Sequence, residues 1–114
     1  MYEKEERLIE EAERLAAGAT ASLPRTGEGA GDASALSAIR QAISEYESAE
    51  SILFSAYQTL RCRVPADRAD VDQKREELLP RAWMALLLVE SQKNFLVYDL
   101  HSLQSEANRA YECG

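Results

Sequence analysis

Two cysteines, one histidine and three prolines are all that this 114-residue chain holds of those types. Each scarcity excludes something. Cys62 and Cys113 are too few for a disulfide framework, and their spacing matches no zinc pattern. Reduced thiols and a cytoplasmic location are the expectation. The lone histidine, His101, sits in "YDLHSLQ" with Tyr98 three residues before it, so the Glu-x-x-His motif of dinuclear metal bundles is missing. Asp99, two residues away, points to nearly the opposite side of a helix, which leaves no triad geometry. No catalytic, cofactor or metal site is expected, and Glu10/Glu13 and Glu47/Glu50, each pair three apart, read as solvated helix faces.

Long apolar runs are also missing. The longest is the eight residues Ala82–Val89, whereas a membrane span needs about 20. The start, Tyr2-Glu3-Lys4-Glu5-Glu6-Arg7, is charged and has no apolar segment behind it, so no signal peptide is expected. Basic charge is in deficit: 13 Lys and Arg stand against 20 Asp and Glu, a net −7. Residues 1–14 carry six acids and three bases, and residues 65–114 nine acids and six bases, so the excess is spread along the chain. That balance argues against direct binding of nucleic acid or of an anionic membrane; it permits a basic protein partner without requiring one.

Glycine gathers in one place, "PRTGEGAGD" at residues 24–32. Gly27, Gly29 and Gly31 precede a helix start, as in phosphate loops. No strand comes before them, no Gly-Lys-Ser/Thr follows, and Glu28 and Asp32 would repel phosphate. Residues 24–33 therefore read as a flexible linker inside one helical domain, 1–114.

What is present is helical periodicity. The expected fold is all-α: an elongated antiparallel bundle of three helices at about 2–23, 34–63 and 67–112. In the first, Leu8, Ala12, Leu15 and Ala19 form one stripe with Ile9, Ala16 and Leu23 beside it. The second is close to a coiled-coil heptad, with Leu36, Ile43, Tyr57 and Val64 on one seam position and Ile39, Tyr46, Leu53 and Leu60 on the other. Val64-Pro65 ends it. The third opens at Asp67 and carries its seam through Leu79, Ala82, Leu86, Val89, Leu96, Leu100, Leu103, Ala107 and Ala110. Pro80 lies inside this pattern and predicts a kink or break near residues 76–80.

Two seam positions are charged, Glu50 on the second helix and Lys93 on the third. A hairpin turning around Pro65 sets Glu50 opposite residues near 81, with Lys93 roughly 18 Å further on at helical rise. Glu50 is read first as a seam position that opens to water; as a pairing residue that fixes register, its better partner within the chain is Arg81, with Lys93 able to meet it across a dimer.

The third helix has a second apolar stripe, Met84, Leu88, Phe95 and Tyr98, with Trp83, Leu87 and Val97 on its flanks. A helix apolar on two opposed faces must be covered twice. The second helix covers one face; the first offers few large side chains for the other. Part of that surface is expected to meet another chain, most simply a second copy in a two-fold homodimer that completes the bundle. The resulting expectation is a non-enzymatic helical protein–protein interaction module with Trp83, Met84, Leu88, Phe95 and Tyr98 as partner-binding anchors. Two alternatives stand beside it. One is an acidic, phage-type inhibitor whose glutamates imitate a phosphate line in the nucleic-acid groove of a basic complex. The other is a small assembly or secretion chaperone that shields a partner helix.

Overall fold

A computed structural model describes residues 2–23, 33–62 and 69–113. Helix is the only regular structure among them: α1 spans Glu3–Ala21, α2 Ala33–Arg61 and α3 Ala69–Cys113. The linker at 24–32, Val64, the turn at Pro65 and the expected cap Asp67 lie outside the described residues, as do the side chains of Ala107, Ala110 and Tyr111.

Side-chain pairs give the directions. Glu6 meets Lys74 and Glu13 meets Arg81, so α1 and α3 run parallel. Thr20 meets Tyr46 and Tyr57 meets Trp83, so α2 is antiparallel to both. The bundle is 71 × 20 × 16 Å with a radius of gyration of 18.6 Å, where a compact chain of this length has about 13 Å. α3 alone, at 45 residues, accounts for roughly 68 Å of the long axis. α1 has 19 residues, roughly 28 Å. It therefore accompanies α2 and α3 over less than half of the length, and the far end consists of α2 and α3 alone.

The core is a continuous apolar cluster. Ile39, Tyr46, Leu53 and Leu60 of α2 and Ala82, Leu86, Val89 and Leu96 of α3 are buried on the expected seams. Leu36, Ile43, Tyr57, Leu100 and Leu103 are half-buried. One seam position is corrected: Leu78 is buried at the start of the α3 seam and Leu79 only half-buried, one residue earlier than the pattern predicts. Tyr46 is 1% exposed. Thr20 commits its hydroxyl proton to the Ala16 carbonyl, so the Tyr46 hydroxyl donates to Thr20 Oγ1 at 2.6 Å. That bond satisfies the one polar atom Tyr46 carries into the core.

A second buried stripe on α2 consists of alanines spaced by seven: Ala35, Ala42, Ala49 and Ala56. Ala12 and Ala19 of α1 are fully buried, and Ala16 lies beside them. Methyl-sized side chains on both sides let two helix backbones approach closely, since axial separation follows side-chain size. α1 packs extensively on α2 and only slightly on α3.

Of the expected kink or break at Pro80, the break does not occur: α3 is one helix from Ala69 to Cys113 with Pro80 inside it. Proline removes the bond to the carbonyl four residues back, that of Glu76. Glu76 and Pro80 are both exposed, so the bond is lost on a face open to solvent. Arg75 stabilises the neighbouring helix end. Its Nε donates to the Leu60 carbonyl at 2.7 Å and its Nη2 to that of Arg61 at 3.2 Å, a cation on the C-terminus of α2.

Two outcomes are expected. Ala49→Leu inserts three carbons where no space exists and should cost about 1–3 kcal/mol, measured by urea unfolding. Pro80→Ala restores a backbone bond on a solvent face and should add about 2 kcal/mol, raising the thermal midpoint followed by circular dichroism.

Candidate functional site

α3 buries one side against α2 and leaves the rest largely bare. Met84, Leu88, Phe95 and Tyr98 are 65%, 60%, 68% and 71% exposed, and Phe54, Trp83, Leu87 and Val97 are exposed as well. The geometry follows from where α1 lies. Because α1 seats on the alanine side of α2, its small residues border the open face of α3 without covering it.

A groove results between α1 and α3. Its floor is Leu53 of α2 with Ala16, Ala17 and Ala85, and its α3 wall is Met84, Leu88 and Val89. The cavity measures about 490 Å³. It continues past Thr20 and Gln92 to Phe95 and Leu96, beside Leu23 at the end of α1. From Arg81 to Leu96 this gives a trough of roughly 22 Å.

The sequence-predicted residues fall into separate places. Met84, Leu88, Phe95 and Tyr98 share one outward stripe. Trp83 is on another flank, where its ring packs on Tyr57 with centroids 5.2 Å apart and planes tilted by 35°. Tyr57, Leu79, Pro80 and Trp83 line a shallow pocket there. Trp83 is thus partly committed to its own chain.

The charged seam residues require a correction. Glu50 pairs with Lys93, not with Arg81, and does so within one chain: Lys93 Nζ lies 2.9 Å from Glu50 Oε2 and 3.1 Å from Oε1. The hairpin is not the tight one assumed from Pro65. Tyr57 opposite Trp83 and Glu50 opposite Lys93 place α3 about twelve residues further along than such a turn would, so its first turns overhang the end of α2. The two side chains are 27% and 22% exposed. A charged pair in that position is satisfied by its partner and by partial contact with water.

Arg81 donates instead to Glu13 of α1. This bond holds its guanidinium above the ordinary arginine value, with the charges of Glu13, Glu10 and Glu6 adding to the effect. Arg81 thus remains cationic at the mouth of the groove. Lys74 pairs with Glu6 at 3.1 Å in the same α1–α3 contact.

His101 is exposed and Asp99 half-buried. Among the described residues, no cluster of His, Cys, Asp and Glu is arranged to hold a metal ion. No helix there is long and apolar enough to cross a membrane. Sequence reading missed Leu53 as a groove floor and the role of Ala16, Ala17 and Ala85. The signal was present as small residues at helical spacing, but a pattern search weighted to large apolar groups passes over them. Compared with protein-family models, with curated proteins and with solved structures, the chain matches none.

The Glu50–Lys93 pair gives a testable asymmetry. Lys93→Leu alone leaves a half-buried carboxylate without its cation and should cost about 1 kcal/mol, while Glu50→Leu with Lys93→Leu should restore wild-type stability or exceed it. Urea midpoints of the two singles and the double complete the cycle.

Proposed function

We propose that this chain is a non-enzymatic helical protein–protein interaction module whose contact surface is the outer face of α3, engaged first of all by a second copy of itself. The observation that carries the reading is the stripe Met84, Leu88, Phe95 and Tyr98, each at least 60% exposed. Large side chains of these types supply most of the energy in protein interfaces. The four stripe residues leave on the order of 500 Å² uncovered at roughly 180 Å² per side chain, more than half of what one partner contributes to a standard interface, and the groove beside them adds to that surface.

The acidic-inhibitor reading has less support. Glu6, Glu13 and Glu50, three of the acids it would use, are paired with Lys74, Arg81 and Lys93. A chaperone that shields a partner helix finds support in the α1–α3 groove, and it would use the same face.

Light scattering tests the reading. Wild-type protein at micromolar concentration should have the mass of a dimer. Leu88→Asp or Phe95→Asp, each burying a charge at the contact, should weaken assembly by roughly 2 kcal/mol or more, about 30-fold. Helix content by circular dichroism should remain unchanged, because neither side chain is in the core. A wild-type protein that stays monomeric would overturn the proposal.

A further inference from the structure

From the stripe's internal pattern we infer how the second copy seats: α3 pairs with the partner's α3 in antiparallel fashion, about a two-fold axis between Leu88 and Ser91. This rests on the reading above and adds the geometry of the contact.

The exposed stripe is a complete heptad seam. Arg81, Met84, Leu88, Ser91, Phe95 and Tyr98 alternate steps of three and four. Ser91, exposed like its neighbours, fills the seven-residue step between Leu88 and Phe95. Small and large residues are placed asymmetrically about the centre, and this decides the direction. In a parallel pair each residue meets its own copy. Ser91 would face Ser91 and leave a gap, Phe95 would stack on Phe95, and Arg81 and Asp99, on one flank of the seam, would lie on opposite sides of the pair from their copies and gain no partner.

In the antiparallel pair each contact is complementary. Leu88 packs over the partner's Ser91, where a small side chain leaves room for it. Met84 meets the partner's Phe95, a thioether against an aromatic ring. Arg81 comes level with the partner's Asp99; both lie on the same flank of the seam, 18 residues or five helical turns apart. Asp99 has no ion pair within its own chain among the described residues, whereas Arg81 can add a second carboxylate to Glu13. Opposed helix dipoles favour the same direction.

The position along the helix is also favourable. The proposed axis, near residue 90, almost coincides with the midpoint of Ala69–Cys113. An antiparallel pair about that point overlaps along the whole of both helices. It sets the three-helix end of each protomer beside the two-helix end of the other. The trough from Arg81 to Leu96 along α1 then receives the partner's Leu88 and Phe95 side chains over Ala16 and Ala17.

Spin-label distances in the full chain test this. Asn94→Cys and Ser105→Cys, each in a Cys62→Ser, Cys113→Ser background, place labels on exposed positions beside the seam. Mass by light scattering and helix content by circular dichroism accompany each sample. The antiparallel register puts the labels at Asn94 roughly 20 Å apart and those at Ser105 roughly 45–50 Å apart, given the helical rise. A dimer in which both distances are roughly 20 Å is parallel and overturns this geometry while leaving the interaction-module reading intact. A dimer with other distances overturns the register in the same way. A monomeric mass with no inter-chain distance overturns the geometry and the self-pairing together.

Discussion

The close contact of α1 with α2 through alanine is the constraint on which the rest of the molecule depends. Ala12 and Ala19 of α1 and Ala49 and Ala56 of α2 are fully buried. A methyl group buries little apolar area, on the order of 1 kcal/mol at the usual coefficient. Its value here is access, because short side chains on both helices bring two backbones together and gather many weak dispersion contacts. The alanine side of α2 offers this fit. α3 presents Met84, Leu88 and Phe95 where α1 would need methyl groups. α1 therefore goes to α2, and the outer face of α3 is left without a cover.

The second constraint is register. Apolar heptads tolerate sliding by whole repeats, since Leu53 and Leu60 are nearly equivalent knobs. The Glu50–Lys93 pair at 2.9 Å removes that freedom. A slide by one heptad would leave a carboxylate and an ammonium each facing apolar side chains, a cost of several kcal/mol for charges losing both partner and water. Arg75 on the carbonyls of Leu60 and Arg61 fixes the same alignment at the other end of the hairpin. Together they explain a 45-residue helix that overhangs α2 at its beginning, instead of pairing with it from the turn onward.

Much of this was legible in the sequence, and the failures have physical causes. The three helices and the seam residues from Ile39 to Leu60 follow from periodicity, because large apolar residues at helical spacing have one way to be buried. Pro80 reads in the sequence as a kink or a break, and the helix is not broken there. A proline costs a helix one bond and some strain, and the 45 residues of packing around it outweigh that when the orphaned carbonyl faces water. The partner of Glu50 was misread because the hairpin was assumed to be tight. Turn length is set by tertiary fit and not by the proline that ends a helix. The open face of α3 was visible as a second stripe, but the reason it stays open was not, since nothing in the large-residue pattern shows that α1 prefers alanines.

An open face of this kind is a consequence of where α1 sits as well as of chemistry. α1 runs beside α3 from Lys74 to about Gln92, so in this position it stops short of Tyr98 and leaves the stripe uncovered. With α1 seated on α2, none of the three helices covers that surface. The same side chains can instead be buried between copies, where the heptad of α3 supplies the missing helix from its own sequence. Association costs translational and rotational freedom of several kcal/mol, which the order of 500 Å² of stripe from each protomer, with the groove beside it, can offset only if the apolar groups interlock. The alternation of Leu88 with Ser91 and of Met84 with Phe95 is the arrangement by which a single helix interlocks with its own reverse.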